Sequence, residues 1–385
     1  MPDPLTGTLR SRLTKSGPLG QSIKQKLTKL RNGLDHLPVD DYSFEMSKRV
    51  TLRDIADELA ITVATASLAL RGNSRISTET RLRVEQTAVR LGYIYNRAAA
   101  NLRRTSSNLV AVCLSDLSNP VFNEFLVHIE DELRQHDLQV FLGIAREDIT
   151  LQGQILQTAL EQGVGGIVLL PVRGTTRADL GCLLPSGRET PIVPTVIMSR
   201  AVEDVPLPTF VNDDLRAGEL AAQALLERGH RRIVWVGGGQ QTWTARNRLA
   251  GVQGAIAREG LPPIEHLQGA TSRQFGHEIA RTLMTRETPP EAVICFSDLI
   301  AFGFSAGCLD QGLRPGRDVS IIGCDDMEEA GLTWPRLTTI AVDKAGIGRG
   351  AAQALMQAKG GNERVLLAPR LVLRDTVGPP TNRSS

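Results

Sequence analysis

The chain has 385 residues, 41% of them hydrophobic and 22% charged, a globular balance long enough for two or three domains. No apolar run reaches the ~18–20 residues of a membrane span, and no apolar core near the N-terminus marks a secretory signal, so a cytoplasmic protein is expected. The net charge of +2 divides unevenly: residues 48–106 hold 11 Lys/Arg against 5 Asp/Glu, residues 1–47 hold 7 against 5, and the remainder 26 against 32. A small basic head on an acidic body is expected to bring only the head to a polyanion.

Residues 1–47 carry Pro2, Pro4, Pro18 and Pro38 and read as a flexible basic extension. Ile23, Leu27, Leu30 and Leu34 fall at helical spacing and allow one short amphipathic helix there. Met46-Ser-Lys-Arg-Val-Thr-Leu is an equally sensible start, in which case the extension is not native.

Residues 48–94 predict a helix-turn-helix and a supporting helix. Thr51 is a good N-cap, and Asp54 three residues on makes a variant capping box. Leu52, Ile55, Ala56 and Leu59 form the apolar stripe of the first helix, and Ala60-Ile61 the turn. Thr62 caps the second helix, whose Ala66, Ala69 and Leu70 are expected to point inward and let two helices cross closely. Val63, Ala64, Thr65 and Leu68 are left on the opposite face, and Gly72-Asn73 ends the helix. Ser77 or Thr78 caps the third, with Leu82, Val84, Ala88 and Leu91 expected inside. Two helices joined by a tight turn can place one of them in a major groove. Residues 95–106 follow as a short Ala-rich segment, too short to be a stable helix alone, and are expected to act as a hinge that orders on DNA. An exposed Leu102 beside Arg103 and Arg104 suits a wedge between base steps of a minor groove.

Residues 107–385 alternate strand-like runs (109–114, 139–144, 166–170, 192–198, 232–236, 292–296 and 319–323) with helical segments near 121–136, 150–162, 215–228, 245–259, 274–286, 298–311 and 345–358. This predicts parallel sheets covered on both faces, split into two α/β lobes, with ligand bound at the carboxyl ends of the strands. Five scattered cysteines without a C-x-x-C spacing fit free thiols in a reducing compartment. The six histidines lack metal spacing, so neither metal nor cofactor is expected. Gly303-Phe-Ser-Ala-Gly307 matches a nucleophile elbow, but Ser305 falls inside a helical run rather than at a strand–helix turn. Gly237-Gly238-Gly239 follows a strand without completing a dinucleotide fingerprint.

The ordered series V-T-L-R-D-I-A (50–56), T-A-S-L-A-L-R-G (65–72), I-S-T-E-T-R-L-R-V (76–84), L-G-Y-I-Y-N-R-A-A (91–99), R-N-R-L-A-G (246–251), S-D-L-I-A-F-G (297–303), V-S-I-I-G-C-D-D (319–326) and L-T-T-I (337–340) resembles the lactose-repressor (LacI/GalR) family of bacterial transcription regulators over residues 50–376. The resemblance implies an N-terminal all-α helix-turn-helix head and an α/β two-lobed body like the periplasmic sugar-binding proteins. It also implies a homodimer on a palindromic operator, and a sugar or sugar-derived effector between the lobes. In the head it implies base contacts from Val63, Ala64 and Leu68, backbone or flanking contacts from Thr51, Thr62, Thr65, Asn73, Asn96, Arg97 and Arg103, and a minor-groove role for Leu102. Many relatives carry polar residues on this reading face, whereas here it is apolar, which points to thymine-methyl contacts. In the body the positions implied for the effector are Phe122, Arg200, Trp243, Arg248, Asp298 and Asp325, with Asn212-Asp213 nearby. The tail after Arg374 has no leucine heptads, so a dimer is expected rather than a tetramer. The function implied is ligand-responsive regulation, of repressor type, of a carbohydrate-related operon. The alternative is a sugar-binding or enzymatic α/β protein with an accessory helical head.

Overall fold

A computed structural model describes residues 50–93, 107–239, 242–358 and 361–380. The chain divides into two compact units, residues 1–96 and 97–385.

The first unit holds three helices: α1 (Leu52–Leu59), α2 (Val63–Leu70) and α3 (Thr78–Leu91). They close on a small core of Ile55, Ala56, Ala66, Ala69, Val84 and Ala88. Alanine at the crossing keeps the helix axes close. Leu82, expected inside, is exposed, because the buried stripe of α3 runs through Val84, Thr87 and Ala88 and Leu82 lies two residues off it. Leu70 and Leu91 are half-buried.

The second unit is built on two six-stranded sheets. The first lobe contains β1 (Leu109–Leu114), α4 (Val121–Arg134), β2 (Gln139–Ile144), α5 (Ile149–Glu161), β3 (Gly166–Leu169), β4 (Thr195–Met198) and β5 (Thr209–Asn212). The chain then crosses to the second lobe for α6 (Asp214–Leu226), β6 (Ile233–Val236), α7 (Trp243–Arg258), β7 (Glu265–Leu267), α8 (Arg273–Leu283), β8 (Ala292–Cys295), α9 (Asp298–Leu309), β9 (Ser320–Asp325) and β10 (Thr338–Ala341). It returns for α10 (Lys344–Met356) and β11 (Arg364–Leu367), and crosses a third time to β12 (Arg370–Val372). The sheet orders are β11-β5-β4-β3-β1-β2 and β12-β10-β9-β8-β6-β7, parallel throughout except for the antiparallel edge strand β12.

An apolar layer with Phe125, Ile129, Trp235, Val252 and Ile347 runs along one side of both lobes, and each lobe has a second core on its other face. Covering both faces is what a parallel sheet requires, and it is why the central strands read as unbroken apolar runs. Two helix crossings set the geometry of the second lobe. A Cβ added to Gly218 would lie 1.9 Å from the Arg248 carbonyl oxygen, and one on Gly251 would lie 2.0 Å from that of Leu215, so α6 and α7 touch backbone to backbone. Gly303 and Gly307 serve the same purpose in α9, against the Arg273 and His277 carbonyls. The G-x-S-x-G spacing is therefore a helix-packing pattern.

Gly251→Ala is expected to destabilise the second unit by about 2 kcal/mol, since the new methyl meets backbone that cannot step aside. Gly254→Ala, one turn along the same helix with only the tip of Arg258 nearby, should be neutral or stabilising. Thermal unfolding of the two variants measures the difference, and equal melting points would sink the close-crossing argument.

Candidate functional site

Two regions combine chemistry with access. The first is the outer face of the head. Thr51 and Asp54 form the full capping box: the Thr51 amide donates to Asp54 Oδ2 at 2.6 Å, and the Asp54 amide to Thr51 Oγ1 at 3.4 Å. Ala60 ends α1 in the left-handed region (φ 52°), which turns the chain sharply into α2. Thr62 then caps α2 by accepting from the Thr65 amide at 3.1 Å. Thr62, Val63 and Ala64 stand exposed at the start of α2, with Thr65 and Leu68 half-buried behind them. The Asn73 side chain accepts from the Arg75 amide at 3.0 Å and fixes the turn after α2, where Arg71 and Arg75 are exposed. Those two arginines are exposed cations beside the proposed reading face that the sequence reading did not single out. Asn96, Arg97, Leu102 and Arg103 lie outside the described residues.

The second region is the cleft between the lobes, enclosing about 100 Å³. Most of its walls come from the carboxyl ends of strands: Asp116 after β1, Glu147 after β2, Arg173 after β3, Arg200 after β4, Asn212 in β5, Phe296 after β8 and Asp325 ending β9. Four of the six expected effector residues line it: Phe122, Arg200, Arg248 and Asp325.

Arg248 is buried, and its guanidinium is bound on three sides. Nε and Nη2 donate to Asp214 Oδ1 at 3.2 and 2.7 Å, and Nη1 donates to the Phe296 carbonyl at 2.6 Å. Asp325 Oδ1 lies 3.9 Å from Nη1, and the Phe296 ring lies under the guanidinium at 5.0 Å. Arg200 forms a second fork. It donates to both oxygens of Glu147 at 3.0 and 2.8 Å and to the Pro171 carbonyl at 3.0 Å, over the Phe122 ring at 5.5 Å. Each aromatic ring thus has one face held by an arginine. Asn212 Nδ2 donates to Asp214 Oδ1 at 3.1 Å, which fixes its amide orientation and leaves Asn212 Oδ1 and Asp214 Oδ2 buried without a hydrogen-bond partner. Acceptors of this kind suit the hydroxyl groups of a ligand.

The acids differ in state. Burial pushes Asp325 up to about 8, opposed by Arg248 and reinforced by the charge of Asp298. Burial also raises Asp214 despite Arg248. Glu147 behaves oppositely: against its burial, the bonds from Arg200 and the charge of Arg173 hold its carboxyl below the usual range.

Two expectations need correcting. Asp298 does not line the cleft. Its carboxylate is fully buried behind Asp325, where it accepts from Thr339 Oγ1 at 2.6 Å and from the Met327 amide at 2.8 Å, tying the start of α9 to β10 and the loop after β9. Trp243 also lies outside the cleft wall. It lines a separate depression of about 450 Å³ with Arg177, Arg200 and Arg246, and its ring carries the Arg364 guanidinium at 5.2 Å. Conversely, Glu147 and Asp214 line the cleft though sequence reading passed over them. The only local signal was a charged residue just past an apolar strand. Among the described residues no cluster of acids, histidines and cysteines has metal-binding geometry, and no helix is long and apolar enough to cross a membrane.

Burial raises Asp325 above the value near 4 of the unfolded chain, so the stabilisation from its bound proton is lost as pH rises from that value through the raised one. The melting temperature of the second unit is therefore expected to fall from pH 6.5 to 8, and Asp325→Asn should remove most of that slope. The window stops at 8 because thiols of the unfolded chain begin to ionise above it, while in the folded state burial pushes Cys113 up to about 12. An unchanged slope in the variant would place the proton elsewhere.

Residues 51–96 match the model of bacterial regulatory proteins of the lacI family, and residues 222–377 match a periplasmic binding protein-like domain. The transcriptional repressor CytR of Escherichia coli is 30% identical over 308 residues, covering 80% of this chain and 89% of that protein. The ribose operon repressor of Haemophilus influenzae is 28% identical over 333 residues, covering 85% and 98%. Among solved structures, the lac repressor dimer bound to operator and the anti-inducer ONPF superposes with a TM-score of 0.74 at 26% identity, covering 86% of this chain and 99% of that one. A family regulator from Enterococcus faecium with bound ribose gives a TM-score of 0.64 at 25% identity, covering 71% and 100%.

Proposed function

The chain belongs to the lacI family of bacterial regulatory proteins, and from that premise we propose that it is an operator-binding transcriptional repressor of a carbohydrate-related operon, its DNA affinity set by a small hydroxylated effector in the cleft. The observation that carries this reading is the presence, in one chain, of a capped helix-turn-helix with an open outer face and a cleft whose buried acceptors Asn212 Oδ1 and Asp214 Oδ2 lack partners. Relatives named as ribose and CytR repressors support it, as does the ribose-bound neighbour.

In this reading residues 48–94 read DNA, residues 95–106 are the hinge, and residues 107–385 bind effector and dimerise. Thr62, Val63 and Ala64 meet base edges and backbone from the start of α2, with Leu68 behind them. The reading face offers methyl groups rather than amides or guanidinium, so specificity rests on thymine methyls and on DNA deformability more than on bidentate bonds. Phe122 offers an apolar platform to a sugar ring. Arg200, Arg248 and Asp325, with Glu147, Asp214 and Asn212, supply donors and acceptors for its hydroxyls. The protein acts in the cytoplasm as a homodimer, needs no cofactor or metal, and is not an enzyme: its relatives are transcription regulators.

The test is a gel-shift titration with the DNA upstream of its own operon, with and without a panel of small sugars. A specific complex at physiological salt that responds to one sugar is expected, and the absence of any sequence-specific complex would overturn the regulator reading. Arg248→Ala should abolish the sugar response while leaving the DNA complex, because it dismantles the cleft and not the head. Loss of both together, with the fold intact, would contradict the division of labour.

A further inference from the structure

The cleft contains three arginines, yet none of them has a charge to spare. Arg248 gives Nε and Nη2 to Asp214 and Nη1 to the Phe296 carbonyl. Arg200 gives both arms of its fork to Glu147, and Arg173 Nε faces the same carboxylate at 3.8 Å. Asp116, a fourth lining acid, is held ionised against partial burial by bonds from Ser118 and Leu117, helped by the charge of Arg173. Helix N-termini, the other usual source of positive potential, are also largely offset. Of the helices that begin at the cleft, α4, α6 and α9 carry Glu124, Asp214 and Asp298 in their first turns, and α5 and α10 are capped by Asp148 and Asp343, whereas α7 and α8 have no acid at either place. Lys344, the nearest lysine to Asp325 and Asp298, is spent on Glu124 at 2.8 Å and on the Asp326 carbonyl at 2.8 Å.

We infer that Glu147 is a specificity-determining residue that makes the cleft select an uncharged polyhydroxylated ligand and reject phosphorylated or carboxylated ones. This rests on the reading that the effector occupies the cleft. The reasoning is one of desolvation. A phosphate entering the cleft gives up part of its water, and an unpaired guanidinium is the group best able to replace it. To obtain Arg200 as a partner, the anion must displace Glu147 and leave that half-buried carboxylate with only the Arg173 amide at 2.9 Å and the Arg173 guanidinium at 3.8 Å. Breaking a partly buried ion pair in this way is unfavourable. A hydroxyl asks for no such exchange. It donates to the outer lone pairs of Glu147, Asp116 or Asp214 and accepts from N–H groups left over by the existing pairs. Glu147 thus bridges two arginines from neighbouring strand ends and, with Asp116 beside Arg173, offsets the charge that would recruit an anion. The variant Glu147→Gln keeps the shape but releases Arg200 and Arg173 together, and so creates an anion site.

The experiment titrates the full-length protein with inorganic phosphate, read by calorimetry and by thermal shift, in the native chain, in Glu147→Gln and in the double variant Glu147→Gln/Arg200→Gln. The native protein is expected to show no saturable phosphate binding, and Glu147→Gln a gain of roughly tenfold or more in affinity. The double variant, which keeps only the half-exposed Arg173 without its carboxylate, should lose most of that gain. Misfolding of the single variant shows as loss of its thermal transition, not as the predicted gain. Native protein that binds phosphate as tightly as Glu147→Gln overturns the inference. A sugar phosphate that binds the native chain more tightly than its neutral parent overturns it as well. Should Arg248→Ala leave the sugar response of the DNA complex intact, the cleft reading fails instead, and that outcome is read in a different assay.

Discussion

The buried guanidinium of Arg248 is the contact on which the cleft depends. It is donated from α7, yet its partners are the first residue of α6, the carbonyl that follows β8 and the last residue of β9. One side chain therefore registers three separate segments of the second lobe against each other. Its own placement depends on Gly218 and Gly251, which bring α6 and α7 into backbone contact. A buried ion pair of this type is weak evidence for net stability, because desolvation offsets much of the attraction. Its value lies in geometry: Asp214 Oδ1 is committed to Arg248 and Asn212, and Asp214 Oδ2 is left buried without a hydrogen-bond partner.

The two lobes share three chain crossings and a small number of polar bridges. The Thr244 hydroxyl donates to the Ser199 carbonyl at 3.2 Å, Arg246 pairs with Glu203, and Lys344 links Glu124 on α4 to the Asp326 carbonyl beyond β9. These contacts are polar and local and lie beside an apolar layer common to both lobes, while each lobe keeps a further core on its other face. Polar bridges of this kind can be exchanged when the lobe angle changes, with the apolar layer setting the cost. In the proposed function, a ligand that contacts both walls would bias that angle by its differential affinity for the two states, and the same coupling free energy would appear in the affinity for DNA.

Much of this was legible in the chain because the signals are local. Thr51 with Asp54, Thr62 with Thr65 and Ser77 with Thr80 are caps formed within three residues, so the head could be read from its caps alone. Central strands such as Val293–Cys295 are buried on both faces and stand out as apolar runs. The strands that went unread have mixed chemistry. Thr338-Thr-Ile-Ala looks polar, yet both threonines are fully buried, Thr339 donating to Asp298 and the Thr338 amide to Thr376. Glu265–Leu267, Arg364–Leu367 and Arg370–Val372 are short edge strands with one wet side. The site divides in the same way. Arg200 and Arg248 could be placed by their neighbours in sequence, but the Arg200 pairing with Glu147 spans 53 residues and exists only once β2 and β4 share a sheet.

Asp298 and Asp325 show why residue type alone misassigns such a site. Both are acids at the carboxyl edge of the second sheet, both are buried, and burial raises both, Asp298 to about 6 and Asp325 to about 8. What separates them is bonding. Asp298 already accepts from a hydroxyl and an amide of its own lobe, so its lone pairs are committed to holding β10 and the loop after β9 in place. Asp325 has only the distant arm of Arg248, at 3.9 Å, and it keeps a backbone φ of +124° that a non-glycine residue rarely adopts. The less satisfied and more strained acid is the one that faces the cleft. The better satisfied one is structural, although its neighbours in sequence, Ser297 and Leu299, gave it the look of a ligand contact. Unfilled bonding capacity, rather than position in a motif, is therefore the property that distinguishes a binding residue from a supporting one in this fold.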